Sequence, residues 1–214
     1  MNYLAHLLLA EPTPEGRVGA VAGDFLKGPV TAELAPAVAA GVLLHRAIDR
    51  FTDAHPAHRR SRTRLSAARR RFAGIVVDVC YDHFLGARWN DHATMPLEAF
   101  TREVYAELTA NLALLPPSAT AVVRRMAERD WLGSYRELAF AARALDGIAA
   151  RRPRLAGLAG AGEEIAREYD GLAEDFEAFF PELRAAVPGL TCEAWRAARS
   201  VAATAPLSRP RARG

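Results

Sequence analysis

Apolar residues recur at helical spacing along almost the whole of this 214-residue sequence. In one segment, the apolar residues that share a helix face are Leu97, Phe100, Val104, Leu108 and Leu112. No stretch sustains the alternation of apolar and polar residues that is typical of a half-buried strand. The pattern predicts an all-α protein, and the length is sufficient for a single-domain helical bundle with a hydrophobic core.

The composition argues against a membrane or secreted protein. Hydrophobic residues make up 50% of the chain, but no apolar run approaches the length of about 20 residues that a membrane span needs. The short apolar stretch at the N-terminus follows no basic region, which argues against a signal peptide. The two cysteines, Cys80 and Cys192, are too few for a disulfide framework or a thiolate zinc site. We therefore expect a cytoplasmic protein without a membrane partner.

A polar stripe runs through residues 43–53 of an apolar helix that we expect to begin at Pro36 and to end before Pro56. His45, Asp49 and Asp53 follow one another at intervals of four residues, so one imidazole and two carboxylates lie on the same helix face. Groups of this kind are costly to bury unless they are paired or bind a metal. The stripe therefore suggests metal ligands in a hydrolytic site.

Residues 74–85 repeat this pattern in a second apolar segment. Asp78 and Asp82 are four residues apart, and His83 follows Asp82 directly. Two such helices that face each other can build a His/Asp site, and helical bundles commonly hold metals in this way. The alternative is a structural role for these acids, in salt bridges with Arg46, Arg50 and Arg88.

Several other polar residues are less informative on their own. His6 lies among leucines in the first predicted helix, where a lone histidine is more often a core residue than a ligand. Asp24 follows a short predicted helix and suits either a cap or a ligand. His55 and His58 fall in the turn at Pro56, and we expect both to be exposed and neither to bind a metal.

The candidate ligands offer nitrogen and oxygen atoms and no thiolate. Such a set suits Mn²⁺, Mg²⁺, iron or Zn²⁺, and hard ions are favoured because carboxylates predominate. A bound ion of this kind lets water ionise near neutral pH and polarises a phosphoryl oxygen.

Basic and acidic residues are separated along the chain. Residues 59–71 hold seven arginines and no acid, whereas residues 163–182 hold eight acids and one arginine. The basic block suggests a docking face for an anionic partner or, equally, a solvated helix face. Residues 187–214 carry five arginines and one glutamate, so the rest of the chain is nearly neutral, which argues against a nucleic-acid partner.

The composition changes near residue 186. We expect a helical domain over residues 1–186, with a last acidic helix over residues 163–183. Residues 187–214 are rich in Arg, Ala and Pro. We expect them to form a partly disordered C-terminal tail with one short helix over residues 193–202.

Several blocks of the sequence resemble one protein family in their order and spacing. They read MNYLAHLLLA, GDFLKG, LHRAIDRFTDAHP, RRRFAGIVVDVCYDHFLGARW, MAERDWLGSY and DFEAFFPEL. Together they resemble the acyl carrier protein phosphodiesterase family, also called acyl carrier protein hydrolase, over roughly residues 1–186. The resemblance implies an all-helical fold that is a divergent relative of the HD-type metal phosphohydrolases.

The resemblance also implies a reaction, a cofactor and a partner. The family hydrolyses the phosphodiester that links 4'-phosphopantetheine to a serine of holo-acyl carrier protein, a small acidic protein. The products are apo-acyl carrier protein and 4'-phosphopantetheine. The reaction depends on a divalent cation, typically Mn²⁺, with Mg²⁺ or Fe²⁺ as other candidates.

Residues of this chain that stand in the family's blocks take expected roles. The expected metal ligands are His6, Asp24, His45, Asp49 and Asp78. The expected catalytic residues are Asp82 and His83, as ligand or general acid, and Arg46, which neutralises the phosphate. The residues expected to contact the phosphate or to dock the acidic carrier protein are Lys27, Arg50, Arg62, Arg64 and Arg69.

Two other functions remain open on the sequence alone. One is an HD-like phosphohydrolase that acts on another phosphoester, such as a nucleotide. The other is a non-catalytic helical module that binds an acidic protein or nucleic acid. Such a module would keep its binding function without Asp49 and Asp78, whereas a hydrolase would lose its activity.

Overall fold

The chain folds as an assembly of α-helices, which confirms the all-α prediction. The computed structural model describes residues 1–204, and within this range the chain forms no strand. The α-helices are α1 (Tyr3–Leu9), α2 (Pro14–Ala22), α3 (Pro36–Ala54), α4 (Pro56–Arg64), α5 (Ala73–Ala87), α6 (Trp89–His92), α7 (Leu97–Ala110), α8 (Pro117–Glu128), α9 (Trp131–Ser134), α10 (Leu138–Arg151), α11 (Ala161–Arg167) and α12 (Tyr169–Ala203). Short 3₁₀ helices cover Ala67–Arg69, Leu112–Leu114 and Pro153–Leu158.

Helix α3 is bounded by prolines, as its sequence predicts. Pro36 stands in its first turn, where a backbone N–H would have no intrahelical partner. The helix ends at Ala54, and Pro56 then opens α4. Helix α2 packs closely on α3 because Gly19 and Gly41 meet at the contact, and a Cβ atom on Gly19 would lie 2.6 Å from Cα of Gly41. This close approach brings the backbone of α2 to the polar stripe of α3.

Asp82 anchors the first helix to the core. Its carboxylate is fully buried and accepts hydrogen bonds from the backbone N–H groups of Leu4, at 2.7 Å, and Ala5, at 3.2 Å. Burial raises the pKa of Asp82 to about 7, although these hydrogen bonds act in the opposite direction. A fully buried carboxylate cannot touch a protein substrate, so this structural role differs from the role of ligand or general acid that the sequence suggested.

The buried carboxyl group of Asp82 predicts a pH dependence of stability. Its folded pKa of about 7 lies above its ordinary value of 3.8, so the folded state holds the proton more tightly. The stability from this group is fully present below about pH 4 and is lost as the pH rises through about 7. The free energy of unfolding of the wild type, relative to Asp82→Asn, should therefore fall by up to about 4 kcal/mol between pH 4 and pH 8.

Chemical denaturation of both proteins across this pH range measures the effect. The asparagine cannot titrate, so the difference between the two proteins isolates the carboxyl group at residue 82. A difference that stays constant with pH would contradict the perturbed pKa of this group.

Helix α5 lies at the centre of the bundle and packs on α12 through aromatic rings. Tyr81 of α5 contacts Phe176 of α12 with ring centroids 5.4 Å apart. His83 is buried, with Nδ1 at 2.9 Å from the carbonyl oxygen of Tyr135 and Nε2 at 3.0 Å from the hydroxyl of Tyr169. Both ring nitrogens of His83 are therefore engaged within the bundle, which differs from the general-acid role that the sequence suggested.

The last helix is longer than the sequence suggests. Helix α12 continues through Pro181 and Pro188 to Ala203, whereas we expected a helix end at residue 183 and a separate tail from residue 187. Each proline removes a backbone N–H from the helix, but packing of Ala198 against α3 holds the segment beyond Pro188. Tertiary contacts thus outweigh the local helix-breaking signal. The part of the expected tail beyond residue 204 lies outside the described residues.

Cys80 is buried and Cys192 is exposed, and both are free thiols. None of the helices in residues 1–204 is both long enough and apolar enough to cross a membrane.

Candidate metal centre

His6, His45 and Asp49 bring their donor atoms together where α1 meets α3. One donor atom from each residue lies within 4.8 Å of the donor atoms of the other two. Nε2 of His6 lies 3.0 Å from one oxygen of Asp49, and Nε2 of His45 lies 3.2 Å from the other oxygen. Two imidazoles and a carboxylate that converge in this way offer ligands that divalent cations bind. We call these three residues the His/Asp cluster.

The ring of His45 is oriented by the backbone of α2. Its Nδ1 lies 2.7 Å from the carbonyl oxygen of Ala20. Because a carbonyl can only accept a hydrogen bond, Nδ1 carries a proton and donates it to Ala20, so Nε2 is the nitrogen that faces Asp49. Histidines that bind metals commonly donate their other N–H group in this way. The rings of His6 and His45 stack with centroids 3.9 Å apart and planes 17° apart, so both Nε2 atoms can face Asp49.

The cluster is open to solvent on the side of Asp24. Oδ1 of Asp24 lies 3.7 Å from Nε2 of His45. The side chains of Asp24 and Asp49 are 46% and 42% exposed, whereas His6 and His45 are buried. Four of the five predicted ligands therefore lie together, and solvent reaches two of them, Asp24 and Asp49.

Burial and hydrogen bonding favour the protonation states that a metal needs. Burial, and in addition the neighbouring ring of His45, lower the pKa of His6, so that its imidazole is neutral near pH 7. Burial alone would raise the pKa of Asp49, but hydrogen bonds from His45 and His6 outweigh it and hold that pKa well below its usual range. Neutral imidazole and ionised carboxylate are the forms that bind divalent cations.

The fifth predicted ligand, Asp78, lies beside the cluster with a partner that the sequence analysis missed. One oxygen of Asp78 lies 3.2 Å from Nε2 of His58 and 2.9 Å from the α-ammonium group of Met1. The same ammonium group lies 3.8 Å from Asp49, so Asp49 and Asp78 flank one cationic group. Burial acts to raise the pKa of Asp78, but the ammonium group and His58 outweigh it and lower that pKa.

His58 is fully buried, so the expectation that it would be exposed was wrong. The expectation followed from its place near a proline turn, but it lies in α4, which packs on both α5 and α12. Its ring centroid lies 5.8 Å from that of Tyr81 in α5 and 6.5 Å from that of Phe179 in α12. Burial here depends on how three helices pack, and no local sequence pattern indicates it. The expectation of exposure was also wrong for the neighbouring His55, because its side chain is 9% exposed and lies 3.2 Å from Glu182.

The cations that were expected near the phosphate have different surroundings. Arg46 donates hydrogen bonds of 2.7 and 2.8 Å to two carbonyl oxygens of residues 23–35, which we call the Asp24 loop. Lys27 donates to the carbonyl oxygen of Asp24 at 2.8 Å. Arg46 and Lys27 thus support the loop that carries Asp24. Arg50 is exposed and follows Asp49 directly in α3.

The basic block at residues 59–71 is partly neutralised by acids of the same chain. Arg64 donates to Asp175 at 2.8 Å, and Arg69 donates to Glu164 at 2.7 Å. Two of the four arginines that were expected to dock a partner, Arg64 and Arg69, are therefore engaged in ion pairs within the fold. Arg62 makes no such ion pair within residues 1–204.

Known relatives match the part of the chain that holds this site. The family model for acyl carrier protein phosphodiesterase matches residues 1–183. The chain is 38% identical over 184 residues to a protein of Serratia proteamaculans, covering 86% of this chain and 95% of that protein. It is 37% and 35% identical over 186 residues to proteins of Yersinia enterocolitica and Yersinia pestis, covering 86% of this chain and 95% of each relative. All three relatives are named acyl carrier protein phosphodiesterase. No solved structure matches the chain.

Proposed function

This chain belongs to the acyl carrier protein phosphodiesterase family, and on that premise we propose that it hydrolyses the phosphodiester between 4'-phosphopantetheine and a serine of holo-acyl carrier protein. The products are apo-acyl carrier protein and 4'-phosphopantetheine. The convergence of His6, His45 and Asp49 on the open side of the bundle is the observation that carries this proposal. A cytoplasmic location stays a prediction.

The proposed cofactor is a divalent cation held by the His/Asp cluster, with Asp24 and Asp78 as further proposed ligands. Mn²⁺ is the first candidate, and Mg²⁺ and Fe²⁺ are the others, because the ligand set combines carboxylates with imidazoles. The fixed orientation of the His45 ring and the ionised state of Asp49 support this fit. When bound, the cation supplies Lewis-acid chemistry, since it polarises a phosphoryl oxygen and lets water ionise near neutral pH.

The geometry and the exposure of the His/Asp cluster are compatible with a protein substrate. Asp49 engages both imidazoles through its two oxygens, which fixes their direction. The scissile phosphodiester is attached directly to a serine, so the surface of the carrier protein must come close to the cluster. The exposed edges of Asp24 and Asp49 permit this approach. Asp82 is excluded from contact with the substrate because it is fully buried.

The proposed docking residues are cations that make no ion pair within residues 1–204. Arg50 follows Asp49 and is exposed, so it can neutralise the phosphate or contact an acidic helix. Lys27 lies in the Asp24 loop with its ammonium group exposed, and Arg62 is free of ion pairs within residues 1–204. Contacts of this kind mainly affect the rate of encounter and its dependence on salt.

Replacing His58 tests its support of Asp78. His58→Phe keeps a ring against its neighbours but removes the hydrogen-bond donor, and we expect the affinity for Mn²⁺ to fall about tenfold, since outer partners of metal ligands typically contribute 10- to 100-fold. His58→Gln keeps an N–H group near the position of Nε2 and should retain most of the affinity. Titration calorimetry measures both. Equal affinity in His58→Phe and the wild type would show that His58 has no part in the site.

Mass spectrometry of purified holo-acyl carrier protein tests the proposed reaction. Incubation with the chain and Mn²⁺ should remove the mass of phosphopantetheine, and a chelator should prevent this loss. Turnover of a nucleotide or a small phosphodiester, with the carrier protein left intact, would favour the other phosphohydrolase function. Failure to turn over any phosphoester, with a folded and metal-loaded protein, would favour a non-catalytic module that binds an acidic protein.

A further inference from the structure

We propose that the last part of α12, residues 187–203, positions the Asp24 loop beside the metal centre. We call this segment the C-terminal extension because it lies beyond the family match, which ends at residue 183. Trp195 and Ala198 are its proposed positioning residues. The inference rests on the proposed metal centre, but it concerns a segment that the family model does not cover.

The C-terminal extension packs along the first turns of α3. Ala198 is 1% exposed and forms a small cluster with Ala39 and Ala40, which are each 2% exposed. Small side chains at a contact let two helix axes approach closely. The extension is thereby seated on the same helix that carries His45 and Asp49 further along.

The same alanine cluster also holds the Asp24 loop. Val30 and Leu34 of the loop pack against these alanines, together with Trp195 of the extension. Residues 27–35 of the loop form no helix, so apolar contacts with other segments have to fix their position. The C-terminal extension supplies one side of this contact.

Trp195 also reaches the connection that follows α1. Its indole Nε1 donates a hydrogen bond of 2.6 Å to the carboxylate of Glu11. Glu11 lies between α1, which carries His6, and α2. The extension therefore contacts α3 and the connection after α1 directly, and it meets the Asp24 loop in the alanine cluster that both share.

Asp24 depends on such contacts more than the other proposed ligands do. His6, His45 and Asp49 lie within helices, whereas Asp24 lies at the start of its loop. Backbone hydrogen bonds to the end of α2 and packing on the main core hold the start of the loop, at residues 24–26. Arg46 and Lys27 add hydrogen bonds to its carbonyl groups. Loops with few buried contacts open at a low cost in free energy. If the segment around Asp24 had to be ordered when the metal ion binds, this cost would weaken the affinity for the ion. A loop held in advance therefore strengthens metal binding.

The variant Trp195→Ala, made in the full-length chain, tests this inference with two measurements. In the metal-free protein, hydrogen exchange at the amides of Leu26 and Leu34 should become faster by about tenfold or more, because the loop opens more often, while the amides of α5 keep their protection. In calorimetry, the dissociation constant for Mn²⁺ should rise about tenfold. Ala198→Glu, which forces the extension away from α3, should have the same two effects.

Two further variants separate positioning from general stability. Arg199→Ala changes an exposed residue of the same extension and should leave loop exchange and affinity unchanged. Trp195→Phe keeps an aromatic ring and should recover part of both. Unchanged loop exchange and affinity in Trp195→Ala and Ala198→Glu, even with a lower melting temperature, would overturn the inference. If the wild type itself binds no Mn²⁺, the metal centre fails instead, and loop exchange in the metal-free proteins still decides whether the extension holds the loop.

Discussion

Replacing Asp49 by asparagine is expected to lower kcat/KM for holo-acyl carrier protein by about a thousandfold, because metal-ion catalysis contributes several kcal/mol of transition-state stabilisation. The two oxygens of Asp49 face the Nε2 atoms of His6 and His45. Asparagine has nearly the same shape, but it removes the negative charge and replaces one of these oxygens by an amide NH₂ group. Steady-state kinetics with the carrier protein measures the loss, and calorimetry should show a parallel loss of Mn²⁺ affinity.

Asp53→Asn is the matched control for this variant. Asp53 lies one turn further along α3 and is exposed, so the same chemical change occurs outside the His/Asp cluster. Kinetics and affinity should stay close to those of the wild type. Comparable losses in the two variants, or wild-type kinetics in Asp49→Asn, would contradict the role assigned to Asp49.

The second large effect is expected in stability, from charge reversal at Arg64. Arg64→Glu should lower the free energy of unfolding by about 3 kcal/mol, because it leaves a buried carboxylate beside a like charge. That carboxylate is Asp175, which is 2% exposed and accepts hydrogen bonds from Arg64, Arg60 and Ser61 at 2.8, 2.9 and 3.0 Å. Burial acts to raise the pKa of Asp175, but these hydrogen bonds outweigh it and lower that pKa. Urea denaturation measures the change.

Arg62→Glu makes the same charge change on the same helix and serves as the control. Because Arg62 makes no ion pair within residues 1–204, the free energy of unfolding should change by no more than about 0.5 kcal/mol. This variant should instead raise KM for the acidic carrier protein at low salt. If Arg64→Glu raised KM without loss of stability, Arg64 would be a docking residue, as the sequence first suggested.

Local patterns in the sequence were sufficient to predict α3 and part of its chemistry. The positions of Pro36 and Pro56 set the limits of the helix. The spacing of His45 and Asp49 predicted a shared face, and the 3.2 Å contact between them confirms this geometry. These features depend only on backbone periodicity and on the chemistry of proline, which the sequence states directly.

The remaining parts of the site depend on tertiary packing. His6 was a weak candidate on local evidence, because its surroundings are those of a core histidine, and the family resemblance strengthened it. His58 and Asp82 were misjudged, since their burial depends on where α4 and α1 lie against α5. The sequence alone could not decide whether each group faces a cavity, a backbone or a metal.

The two charged blocks of the sequence contact each other in the fold. An arginine block at residues 59–71 and an acidic block at residues 163–182 are complementary, and Arg64–Asp175 and Arg69–Glu164 pair across them. Complementary blocks within one chain therefore favour an internal contact before an external partner. Pro188 led to the wrong prediction that the helix ends before it. Helix α12 continues through this proline because α3 supports the segment beyond it.

A crystal structure of the Mn²⁺-loaded chain, with anomalous scattering collected at the manganese edge, tests the proposed metal centre most directly. We expect an anomalous peak within bonding distance of Nε2 of His6, Nε2 of His45 and a carboxylate oxygen of Asp49, with Asp24 close enough to complete the site. A peak at other residues, or no peak at this cluster in crystals of an enzyme that Mn²⁺ activates, would contradict the assignment.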